Sequence, residues 1–282
     1  MYSKITVAGP DAISFLQGQL TQDLRLVTES FSPLAAWCTP KGRVIAVMRL
    51  LQTGDGVDLV LPGGLAAEVT AGLAVYRLRA KVEFSAAGPD WRALAIANTT
   101  DLELLRARQL LPFAAAGVSC VADGLHIVSP NARQDHIEVY GDATALQSAG
   151  LSFVSPLTDT DWQAARIAAG ITDLVPATSG KFTPQMLNLD TLAAVSFNKG
   201  CYTGQEIVAR TQHLGAVKRR IARFHAAAPL ALGENVTLDG TTVGEIVAAA
   251  ERDVLAVLPI ALHGVELHAT NIALHPREFT TG

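Results

Sequence analysis

Cysteine is scarce in this chain: Cys38, Cys120 and Cys201 are the only three in 282 residues. They are odd in number, far apart and form no Cys-x-x-Cys pair, which excludes a disulfide framework and any zinc or cluster cage built by the chain alone. The seven histidines show no His-x-x-x-His or His-Glu pattern, and the three in "HGVELHATNIALH" lie in a β-like tail, so no resident metal is expected. Neither Gly-x-Ser-x-Gly nor Gly-x-Gly-x-x-Gly occurs, which removes the best supports for a serine hydrolase and for a dinucleotide enzyme. Long apolar runs are missing too. "DVLAVLPIALHG" is broken by Pro259, far short of the roughly 20 residues that cross a bilayer. The start "MYSKITVAGPDAI" has no basic region followed by an apolar stretch and a cleavage site, so the expected location is the cytoplasm, with no membrane contact. Positive charge is not in excess, with 22 basic against 26 acidic residues and a net charge of -4. Direct nucleic acid contact is therefore not expected.

What remains is a globular composition, 49% apolar and 17% charged. An extended "KITVAG" precedes a helix carrying Ala12, Phe15, Leu16 and Leu20 on one face, with Asp11 as its N-cap. Then come strand "RVIAVMRLL", a turn at Gly54-Asp55-Gly56, strand "VDLVL", a helix over about 64–76 and strand "AKVEF". Hairpin, helix and strand return between 125 and 155 as "LHIVS", "HIEVY", "DATALQSAG" and "LSFVS". This order predicts two repeated α+β modules, about 1–110 and 111–222, with helices against antiparallel-rich sheets. "TDTDWQAARIAAG" reads as a capped helix over 158–170, and the Pro- and Gly-bearing "ITDLVPATSGKFTPQMLNLD" as an irregular, site-lining segment. Short β-like runs with an Asp239-Gly240 hairpin signal predict a small β-barrel or sandwich over 223–282.

The polar chemistry concentrates in "SFNKGCYTGQEIVAR", residues 196–210. Thr203 and Glu206 have the spacing of a capping box, so a helix should begin near Gly204. Cys201 then lies just ahead of a helix N-terminus and close to Lys199, two influences that lower a thiol pKa. It is a candidate nucleophile, redox group or metal ligand. Gly200 and Gly204 could allow backbone conformations closed to other residues and bring a ligand near. Glu206 and Arg210, four apart, also fit a plain surface ion pair, and Glu206 a plain cap. In "KGRV", Lys41 and Arg43 beside a glycine fit either an anionic ligand tail or a solvated turn.

"NKGCYTGQEIVAR" closely resembles the Lys-Gly-Cys-Tyr-x-Gly-Gln-Glu signature of YgfZ-type folate-binding proteins, relatives of the glycine-cleavage T-protein, an aminomethyltransferase. "GPDAISFLQGQLTQDL", "PKGRVIAVMRL", "RIAAGI" and "TPQMLNLD" are similar to the family's other blocks and stand in its order, so the resemblance covers most of residues 5–220. It implies two ferredoxin-like modules forming a folate-binding body over 1–222 around a central cavity, plus the small β-barrel. It also implies a job: assembly, maintenance or repair of [4Fe-4S] clusters in client enzymes, including radical-SAM enzymes that modify tRNA, with tetrahydrofolate or another reduced folate as ligand and iron-sulfur client or assembly proteins as partners. Carried over by motif, Cys201 and Lys199 are the candidate catalytic residues, and Gly200, Tyr202, Gly204, Gln205, Glu206 and Arg210, with Arg43, the candidate folate-binding ones. A pterin offers a flat face to Tyr202, a donor edge to Gln205 or Glu206, and a carboxylate tail to Lys199, Arg43 or Arg210. The segment "LVLPGGLAAEV" departs from the T-protein pattern, with no Asp between Leu59 and Val69 and with Glu68 too late to replace it. That argues against aminomethyl transfer, although a one-carbon transferase using Cys201 or Glu206 stays as the alternative.

Overall fold

The computed structural model describes residues 2–151 and 154–280. The first module runs β1 (Tyr2–Ala8), α1 (Ala12–Gln17), β2 (Leu34–Cys38), β3 (Val44–Thr53), β4 (Gly56–Pro62), α2 (Gly63–Val75) and β5 (Glu83–Ala86). Its strands form an antiparallel sheet in the order β2-β3-β4-β1-β5. Leu65, Val69 and Leu73, at helical spacing, turn α2 onto that sheet. The second module runs β6 (Trp91–Ile96), α3 (Thr99–Ala107), β7 (Ser119–Ala122), β8 (Leu125–Val128), β9 (Ile137–Asp142) and α4 (Ala143–Ser148), with sheet order β6-β9-β8-β7. The expected strand "LSFVS" falls partly on residues 152 and 153, outside the described residues. Helix α5 (Asp159–Ala168) then leads through an irregular stretch to α6 (Gln205–Leu214).

A closed barrel follows: β10 (Arg219–Ala226), β11 (Asn235–Leu238), β12 (Thr241–Ala250), β13 (Asp253–Pro259), β14 (Leu267–Ala269) and β15 (Ile272–Arg277). Its first strand starts at Arg219, ahead of the expected boundary. The Asp239-Gly240 signal makes the β11-β12 turn, with both residues at positive φ as a tight hairpin requires. The barrel fills its interior with Phe224, Val236, Ile246, Leu258 and their neighbours. Ile221, Val247, Leu255 and Val257 face outward into the core of the first module. Body and barrel thus share apolar surface.

The two sheets meet through Leu51 and Val60 of one and Trp91, Val128 and Tyr140 of the other, closed by Trp162 of α5. Charge is buried at the same junction. Glu138 of β9 takes Arg49 Nε at 2.8 Å, Arg166 Nη1 at 2.5 Å and the Tyr140 hydroxyl at 2.7 Å. Arg166 in turn forks onto Asp173, with Nε and Nη2 each at 2.8 Å, and Tyr2 donates its hydroxyl to the same carboxylate. One carboxylate therefore ties β3, β9 and α5, elements far apart in sequence. Burial pushes the Glu138 carboxyl up, but Arg49 and Arg166, with His136, outweigh this and hold it well below the usual carboxylate range.

Removing one member of a buried ionic cluster leaves the others uncompensated. Glu138→Gln is expected to cost about 3–5 kcal/mol in urea unfolding, because two buried guanidiniums lose their shared counter-ion. A carboxyl whose pKa is depressed by folding contributes stability that is complete above its unfolded value, about 4.3, and is lost as pH falls from there. The native chain should therefore lose stability more steeply than Glu138→Gln as pH drops below about 4, and parallel acid-unfolding curves for the two would contradict this.

Candidate functional site

Helix α6 takes Gly204 as its N-cap, one residue later than the Thr203 cap of a Thr203–Glu206 box. Gly204 sits at φ 83°, and a Cβ there would lie 2.5 Å from the Thr39 carbonyl oxygen. The opposing residue, Gly42, has φ 67°, and its Cβ would lie 2.9 Å from Ile207 Cβ. Two glycines thus let the "PKGR" turn and the start of α6 touch backbone to backbone. Gly200 needs no such freedom, since it has no positive φ and an added Cβ meets nothing within 4 Å. The capping box gives way to different bonds. Thr203 Oγ1 donates to Gln19 at 3.2 Å, while Gln205 Oε1 reaches back three residues to accept from Tyr202 N at 3.2 Å. Glu206 and Arg210 are both exposed and form no ion pair among the described residues.

The loop ahead of α6 is pinned from inside. Lys199 is buried, and its ammonium donates to the Leu20 and Gln22 carbonyls, each at 2.7 Å, while lying 5.1 Å from the centre of the Tyr202 ring. Burial lowers its pKa to about 8, against a partial opposing pull from Asp23. Tyr202 is buried as well, and burial raises its phenol pKa, so its ring serves the lysine and the core; an open stacking face is absent. Gln22, itself buried, donates from Nε2 to Leu34 O at 3.1 Å and Ala193 O at 2.6 Å. Cys201, between Lys199 and Tyr202, is exposed. Arg43 Nη1 donates to Lys181 O at 2.8 Å and so ties its turn to the segment after α5.

A cavity of about 260 Å³ lies on the other side of this scaffold, with Phe31, Leu34, Arg49, Asn131, Ala169 and Ala193 in its wall. None of the residues expected to bind folate lines it. Lys199 and Tyr202 are turned into the core, and Glu206 and Arg210 into solvent. The link between motif and cavity is Gln22, whose carbonyl holds Lys199 and whose amide holds the two wall carbonyls. Sequence reading missed Gln22, Asn131 and Arg49. Arg49 was detectable, since a lone charge inside the apolar run "VIAVMRLL" must be paired if that strand is buried. Its Nη2 is buried and has no partner among the described residues. Among those residues no group of His, Cys, Asp and Glu is placed to hold a metal ion, and no helix is long and apolar enough to cross a membrane.

Lys199→Met should leave the Leu20 and Gln22 carbonyls unpaired, at a cost of about 1–3 kcal/mol. A lysine whose pKa is lowered by folding binds fewer protons folded than unfolded, so its contribution to stability rises with pH between about 8 and the unfolded value near 10.4. That rise should be present in the native chain and missing in Lys199→Met, read by urea unfolding across this range. Equal slopes would contradict the buried, carbonyl-bound ammonium.

No model of a known protein family matches the chain. It is 32% identical over 262 residues to the tRNA-modifying protein YgfZ of Shigella boydii serotype 4, covering 86% of this chain and 78% of that one. Identity to the YgfZ of Escherichia coli O127:H6 is 31% over the same shares. An uncharacterized protein of Haemophilus influenzae is 31% identical over 230 residues, 79% of this chain and 70% of its own. In three dimensions the chain superposes on the glycine cleavage system aminomethyltransferase T of Bartonella henselae with TM-score 0.76, covering 98% of this chain and 83% of that one at 18% identity. That likeness fixes the fold: two ferredoxin-like sheets and a closed six-stranded barrel in the T-protein arrangement. With more than three-quarters of a relative covered above 30% identity, the chain belongs to the family of the tRNA-modifying protein YgfZ.

Proposed function

We propose that this protein is a cytoplasmic, tetrahydrofolate-binding accessory factor for assembly, maintenance or repair of [4Fe-4S] clusters in client enzymes, among them radical-SAM enzymes that modify tRNA. The observation that carries the proposal is the placement of Cys201: its side chain is exposed on a loop whose neighbours on both sides, Lys199 and Tyr202, are anchored in the core. A thiol so presented reaches a partner without having to be unfolded first. Binding to a cluster iron deprotonates a thiol and releases the proton to water, so Cys201 serves as a transient ligand to a cluster that is cargo and whose remaining ligands the client supplies.

The cavity supports a folate. Its volume of about 260 Å³ falls just short of the roughly 300 Å³ at which drug-sized ligand sites begin, so it suits the flat bicyclic head while the charged tail stays outside. Apolar walls from Phe31, Leu34 and Ile171 suit the faces of such a ring, and Arg49 brings a buried donor without a partner. Folate bound there touches the Leu34 strand and the Ala193 turn that Gln22 holds, which relates the ligand to the loop of Cys201. The one-carbon transferase reading is the weaker one. Cys201 and Glu206, the groups it would use, are exposed and line no part of the cavity, Glu68 lies outside the cavity too, and Glu138 is already bonded to Arg49, Arg166 and Tyr140.

Cys201→Ser, expressed in cells lacking the native protein, should restore less than a tenth of the client tRNA-modifying activity that the native chain restores, with reduced-folate binding unchanged because Cys201 is outside the cavity wall. Full recovery by Cys201→Ser would remove the thiol from the mechanism. Sustained turnover of purified protein with tetrahydrofolate and a methylamine donor would favour the transferase.

A further inference from the structure

From Val75, the last residue of α2, the chain turns through Tyr76, Arg77, Leu78 and Arg79 to Lys81, and each of these side chains is exposed. Leu78 is 89% exposed and sits at φ 44°, in the left-handed region that disfavours a leucine. The chain thus keeps a large aliphatic group in water and on a strained backbone, two costs that local folding does not require. The turn is nonetheless held firmly. Ala80 N donates to Arg77 O at 2.7 Å and Tyr76 N to Leu73 O at 3.0 Å, while Asp11 accepts from Lys81 N at 2.7 Å. Asp11 stands at the N-cap position of α1 as expected, but its side chain makes no cap bond there and holds this turn from outside instead.

The charge is one-sided. No acidic residue occurs between Val69 and Val82 in a chain whose net charge is -4. Asp55 and Glu83 share a cleft of about 530 Å³ with Arg77, Arg79 and Lys81, yet none of the three cations forms an ion pair among the described residues. An aliphatic anchor between unpaired cations complements an apolar slot rimmed by carboxylates. Phosphate backbones offer the charge without the slot, and the turn leads with its aliphatic group: Leu78 is 89% exposed against 38% for Tyr76, the one ring in the turn that could stack on a base.

We propose that the turn over 75–81 is a docking surface for an acidic protein, with Leu78 entering an apolar pocket and Arg77, Arg79 and Lys81 meeting carboxylates around it. Taken with the accessory role proposed above, on which this identification of the partner rests, that protein is a cluster client or assembly factor. The docking surface lies outside the Cys201 motif and the cavity wall, so it can be altered with both intact.

The test places a photo-crosslinking amino acid at position 78 of the full chain in living cells and maps the adducts by mass spectrometry. The expected adduct is a carboxylate-rich protein peptide whose yield falls at least tenfold when Arg77→Glu and Arg79→Glu are added. Adducts to RNA or to a second copy of this chain, no adduct, or a yield indifferent to charge reversal would overturn the proposal. Leu78→Asn supplies a second arm, because asparagine tolerates the left-handed region. It should raise the melting temperature by about 2 °C while cutting client activity tenfold, separating docking from folding. A persistent charge-dependent adduct together with full client activity in Leu78→Asn would count against the accessory role and leave the docking surface standing.

Discussion

A single carboxylate with no access to water, Glu138, sets the geometry on which the rest depends. Its partners come from β3, β9 and α5, so neither module satisfies it alone. Isolated in an apolar interior, any of these charges would be prohibitive, and only joint assembly makes the arrangement stable. Specific geometry follows, since a fork of guanidinium on carboxylate tolerates little displacement. Arg49 is at once a member of this cluster and a wall residue of the cavity. The requirement that joins the modules therefore also shapes the hollow between them.

A second constraint runs from that hollow to the surface. Gln22 binds two wall carbonyls with its amide and offers its own carbonyl to Lys199, which fixes the loop on which Cys201 is displayed. The lysine of the motif thus acts inward and the cysteine outward. Tyr202 lies against the ammonium, an arrangement that adds cation–π attraction in a partly desolvated place. The polar residues of the motif thus divide between the interior and the surface: Lys199 and Tyr202 hold the loop from within, while Cys201, Glu206 and Arg210 face solvent.

The large elements were legible because their signals are local. Apolar runs such as "VIAVMRLL" and "VDLVL", the Asp239-Gly240 turn and the Thr158 cap of α5 all appear where pattern and turn chemistry place them. Strands β2, β6 and β7 and helix α3 escaped, since "LAAWC", "WRALAI" and "SCVA" are short and lack clear alternation at both faces. The motif was legible as a motif, but its wiring was not. That Asp11 would bind Lys81, or that Lys199 and with it Tyr202 would be turned inward onto the Leu20 and Gln22 carbonyls, depends on contacts between residues tens to hundreds apart. Spacing carries no information on such contacts. The cavity likewise belongs to no single segment, being walled by residues from 31 to 193.

The central claim is that the hollow beside Arg49 takes a reduced folate while the motif cysteine works elsewhere. Calorimetric titration with tetrahydrofolate tests it on the native chain and on Ala132→Trp, a substitution at an exposed position of the cavity rim. One equivalent bound by the native chain, with affinity reduced at least tenfold in Ala132→Trp, is the predicted result. No binding to the native chain, or equal binding by both, would contradict it.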